Sequence, residues 1–129
     1  MAETIILCKE GTISSYLDSL VVAANRKKAG EDIAVVFMDE GLAALVDGKF
    51  RFPAGLESYA EEIKKNAARM GVPSDPFELI KMASGAGVPL YANFAWAKLL
   101  GVEVPEGLQK MELKEFLAEL GKAKQVISF

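Results

Sequence analysis

The chain has 129 residues, enough for one domain with a single core and too few for two. Half of it is hydrophobic (51%) and a quarter charged (26%), a balance that excludes disorder as the main state. With no histidine, one cysteine and a net charge of -3, it lacks the parts for Ser-His-Asp or Cys-His catalysis, internal disulfides, histidine-bearing zinc sites and non-specific nucleic-acid binding.

Thr4-Ile5-Ile6-Leu7-Cys8 is β-branched and apolar and stops at the polar run Lys9 to Thr12, so it reads as a buried first strand with its exit loop. Ile13, Leu17, Leu20, Val21 and Ala24 keep helical spacing. Arg26-Lys27-Lys28 stand where a helix dipole favours cations, and Gly30 closes this first helix. Ile33 to Met38 is apolar without alternation, as expected of a strand covered on both faces of a parallel sheet. It is also the longest apolar run and far too short to cross a bilayer.

Between Gly41 and Phe52 the pattern is ambiguous. Leu42, Leu45 and Val46 suit a short helix, while Asp47-Gly48 marks a turn. Leu56, Tyr59, Ala60, Ile63, Ala67 and Met70 then repeat at helical spacing up to Gly71. Asp75, followed by Pro76 and with Glu78 three residues on, opens another helix that runs to about Ser84. Val88 to Ala92 reads as a strand with Pro89 at its beginning or on an unpaired side. Asn93 is a favoured N-cap for a helix that continues to Gly101. Leu108 to Met111 is a short strand. Leu113, Phe116, Leu117 and Leu120 line one side of a helix, and Gln125 to Phe129 is the last strand.

Strands alternating with helices in this way predict a single α/β domain over residues 1–129, with a parallel sheet between helical layers. In such sheets ligands gather at the carboxyl ends of the strands. Those ends are Cys8 to Thr12, Asp39 to Gly41 and Tyr91 to Asn93.

On the opening strand, the helix Leu20 to Gly30, the strand Ala34 to Gly41 and the run Gly87-Val88-Pro89-Leu90-Tyr91-Ala92, the chain resembles the DsrE/DsrF/DsrH and YchN-like group of small sulfur-relay proteins. The resemblance implies a three-layer α/β/α, flavodoxin-like fold with a five-stranded, mostly parallel sheet. It also implies a homo-oligomer, trimer or hexamer, and a sulfur-relay protein as partner. Sulfur-carrying members place a cysteine after the third strand, where this chain has Asn93. A thiol there is held as thiolate by the helix N-terminus and accepts sulfane sulfur, whereas an amide forms no persulfide. The reading is therefore a DsrE-like protein of intracellular sulfur metabolism that binds a ligand or partner without carrying sulfur. An assembly subunit without catalysis and a flavin- or nucleotide-binding module are its alternatives.

Cys8, the only thiol, either packs as a small apolar residue or substitutes as the sulfur acceptor. Lys9, Gly11, Thr12, Glu40, Gly41, Tyr91 and Asn93 form the candidate ligand-binding set. Gly11 to Ser15 suits either an anion at a helix N-terminus or simple capping by Thr12 or Ser14. Asp39 and Glu40 read as an acid or base, or as solvated turn residues, and Tyr91 and Trp96 as pocket, interface or core. No metal, cofactor, nucleic acid or membrane is expected. The single thiol and the lack of a signal-like start point to the cytoplasm.

Overall fold

Five strands and six α-helices make up the computed structural model, which describes residues 2–129. In chain order they are β1 (Thr4–Cys8), α1 (Ile13–Lys28), β2 (Ile33–Phe37), α2 (Asp39–Asp47), a 3-10 turn (Ala54–Tyr59), α3 (Ala60–Arg69), α4 (Pro76–Gly85), β3 (Leu90–Asn93), α5 (Phe94–Leu100), β4 (Gln109–Met111), α6 (Leu113–Lys122) and β5 (Gln125–Ser128). The sheet order is β4-β3-β2-β1-β5 and every pair is parallel.

Side-chain alternation along the strands divides the core in two. Ile6 and Cys8 of β1, Val35 and Phe37 of β2, and Leu90 and Ala92 of β3 point one way, onto Tyr16 and Leu20 of α1, Leu42 of α2 and Leu79 and Ala83 of α4. Ile5, Ala34, Val36 and Met111 form the other face, beneath Phe116 of α6. The layers are unequal because of the crossovers. From β1 through β4 the chain steps in one direction, and crossovers of one hand then fall on one face. Only α6 carries the chain back across the sheet to the far side of β1, so it covers the opposite face alone.

Several boundaries differ from the sequence expectation. The ambiguous stretch after β2 is helical from Asp39. The third strand starts at Leu90 rather than Val88. Pro89 stands just before it and takes part through its carbonyl, which accepts from the Val35 amide at 3.1 Å. The stripe from Leu56 to Met70 opens as a 3-10 turn and buries only Ala67, leaving Tyr59 59% and Met70 77% exposed. On α6, Phe116 is buried, but Leu113 and Leu117 face outward.

Candidate functional site

At the carboxyl ends of β1 and β2 the two exit turns are tied together. The Met38 amide donates to the Cys8 carbonyl (3.2 Å) and the Gly41 amide to the Lys9 carbonyl (3.0 Å). The approach is so close that a Cβ on Gly41 would lie 2.3 Å from the Cys8 carbonyl oxygen, so only glycine fits. The Tyr16 hydroxyl, buried under α1, donates to the Gly41 carbonyl. Asp39, between them, has φ +54, a left-handed conformation that aspartate tolerates better than most residues.

Glu40 turns its side chain back onto this knot. Its Oε1 accepts from the Gly11 amide at 2.8 Å and from Arg51 Nη2 at 2.6 Å. Gly11 is also tightly enclosed, since a Cβ would meet Ala44 Cβ at 3.0 Å and Glu40 Cγ at 3.1 Å, and those side chains would have to give way. Thr12 caps α1, its Oγ1 accepting from the Ser15 amide at 3.2 Å. Arg51 lies across the turn as a strap, its carbonyl taking the Ile13 amide (2.8 Å) and its amide giving to the Gly11 carbonyl (3.2 Å). The Gly11, Ile13 and Ser15 amides are thus engaged from within, and the Glu40 carboxylate takes the place an anion would hold on the Gly11 amide. A bound phosphate would have to displace Glu40 or face its charge.

The side chains of the other candidates lie apart from this cluster. Cys8 is fully buried on the α1 side, its Sγ 3.6 Å from the Ser15 hydroxyl. Burial pushes its thiol up to about 11, with Glu10 adding to the rise and the hydroxyls of Ser15 and Ser19 opposing it. A thiol in that state is a poor nucleophile. The Lys9 side chain is exposed, while its main chain continues the sheet by donating to the Phe129 carbonyl at 3.2 Å.

Asn93 is buried at the end of β3, in register with Met111, and its Oδ1 accepts from the Trp96 amide at 3.3 Å as the N-cap of α5. Tyr91 pairs in register with Val36 and packs on the α6 face. Burial raises its hydroxyl pKa, helped by Glu115 and Glu119 of α6. The structure therefore joins Gly11, Thr12, Glu40 and Gly41, places Asn93 at its own helix and puts Tyr91 on the opposite face of the sheet.

Sequence reading missed Arg51, which sits in an irregular stretch with no local pattern. It also missed Phe94, whose ring has Lys98 Nζ at 4.8 Å and Lys110 Nζ at 4.5 Å. The i, i+4 spacing of Phe94 and Lys98 could have suggested half of that cluster. Among the described residues no group of His, Cys, Asp and Glu side chains is placed to hold a metal ion, and no helix is long and apolar enough to cross a membrane.

No protein-family model and no curated protein sequence matches the chain. Among solved structures it is similar to the crystal structure of the ychN protein from E. coli, with a TM-score of 0.67 and 14% identity over 100% of both chains. The chain shares with that protein a layered α/β fold built on a parallel five-stranded sheet.

Proposed function

We propose that this is a DsrE-like protein of intracellular sulfur metabolism that binds a small ligand or a relay partner, as a homo-oligomer, and carries no sulfur itself. The observation that carries the reading is Asn93. It is the last residue of β3 and the N-cap of α5, where the resemblance expects the sulfur-carrying cysteine, and its side chain is engaged in capping that helix. The helix N-terminus that would favour a thiolate is present, but the residue at it is an amide. Cys8 offers a weak substitute, since it is buried and its proton is held tightly.

The test is the intact mass of the protein after exposure to a sulfane-sulfur donor, with and without reductant. The native protein is expected to gain no sulfur, and Asn93→Cys to gain one sulfur that reductant removes. Reversible addition to the native protein that disappears in Cys8→Ser would overturn the reading and assign the chemistry to Cys8. Failure of folded Asn93→Cys to take up sulfur would remove the argument from position.

A further inference from the structure

We propose that the cleft between α4 and the turn entering β4 binds a small zwitterion with a large apolar body, of the chemical class of a free hydrophobic amino acid. This inference is independent of the Asn93 reading. The cleft arises because α5 ends at Leu100 and the chain returns to β4 through an irregular stretch over 101–108, leaving a space of about 610 Å³ against α4. That volume lies within the range of small-molecule sites.

Its floor is apolar, with Leu45 buried and Ile80 half-buried. Phe77 forms one side. Its ring packs edge-on against Phe50 at 5.5 Å, yet the residue is still 44% exposed, so apolar surface remains there for a ligand to cover. Opposed charges frame this floor. Lys81 and Ser84, one turn apart on α4, form one wall. Glu106 stands on the other, on a turn fixed by the Leu108 amide donating to the Pro105 carbonyl at 3.2 Å. A carboxylate would meet Lys81 and Ser84, and an ammonium Glu106. Among the described residues Lys81 pairs with Glu78 at 3.3 Å, an exposed pair that a ligand can outcompete.

The experiment is an amide NMR titration of the whole protein with L-phenylalanine, 3-phenylpropionate and phenethylamine. Phenylalanine is expected to shift the amides of Phe77, Ser84 and Glu106 saturably, with each single-charge analogue about tenfold weaker. Lys81→Gln and Glu106→Gln should each weaken phenylalanine about tenfold. Equal binding of the three probes, or binding unaffected by both variants, would overturn the zwitterion assignment. No saturable shift at these amides with phenylalanine would overturn the site. So would undiminished binding to Ser84→Trp, a variant that fills the cleft from an exposed position and is checked for a native spectrum.

Discussion

Cys8 and Gly41 meet across the first two strand ends, and each makes a separate prediction. The Cys8 carbonyl leaves no space for a Cβ at Gly41. Because the obstructing atom is backbone, rotamer adjustment cannot relieve the clash, and Gly41→Ala is expected to cost about 2–3 kcal/mol in urea denaturation. A midpoint unchanged from the parent would show that the two turns can separate freely. The Cys8 thiol acts through pH. Its pKa rises from 9.0 to about 11 on burial, so between those values the folded state holds a proton that the unfolded chain releases. The corresponding stability is complete below pH 9 and falls as pH rises toward 11, by about 2–3 kcal/mol in all. Urea curves at about pH 8 and about pH 10.5 should show a larger loss in the native protein than in Cys8→Ala, where the Tyr16 hydroxyl, whose pKa burial also raises, keeps part of the alkaline sensitivity. An equal loss in both would assign the alkaline sensitivity to other groups.

Among the elements, those whose beginnings are set by a local side chain were the ones the sequence made legible. Asp75, Thr12 and Asn93 each cap the helix that follows, because a short acceptor side chain reaches an amide two or three residues on. Asn93→Ala should therefore lower stability by about 1 kcal/mol, read as a shifted urea midpoint with the sheet intact. A larger loss would mean that Asn93 supports more than its cap. Helix α3 shows what spacing does not reveal. Its apolar stripe is regular, but how deeply a stripe is buried depends on the neighbour it meets, and this one rests at the rim of α1 with only Ala67 covered. Tryptic cleavage under native conditions is accordingly expected first at Lys64, Lys65 or Arg69, which are all exposed there. First cuts within α1 would contradict this ranking. Arg51 was hidden for a related reason: its partners, Glu40 and the Gly11 to Ile13 turn, are brought to it only by the tertiary fold.

Across the whole molecule, alternation of strands and helices was enough to predict a parallel sheet between helical layers. It could not give the strand order, since the direction of each crossover is decided by packing and not by any residue in the connection. Nor did it show how unequal the layers are. With α6 alone on one face, Leu113 is left 50% exposed, Leu117 59% and the neighbouring edge-strand residue Val126 45%. Apolar side chains beside an open strand favour self-association. Light scattering is expected to give a multiple of 13.9 kDa, and Leu117→Glu, an exposed substitution, to shift the population toward that mass without changing the circular dichroism. A native protein that stays at the monomer mass at high concentration would refute the assembly.

The pairing of Thr4 with Gln125 and Ile5 with Val126 also bears on the order in which the molecule forms. β1 finds β2 after a single crossover helix, but its other neighbour arrives from almost the far end of the sequence. Closing so long a loop adds only about 0.6 kcal/mol for each doubling of length, yet it must happen before the contacts that reward it. Folding should accordingly nucleate on β1, α1 and β2, with β5 sealing the sheet last. The amides of β5 would then be the first in the sheet to exchange with solvent, and the side of β1 they cover the first to open.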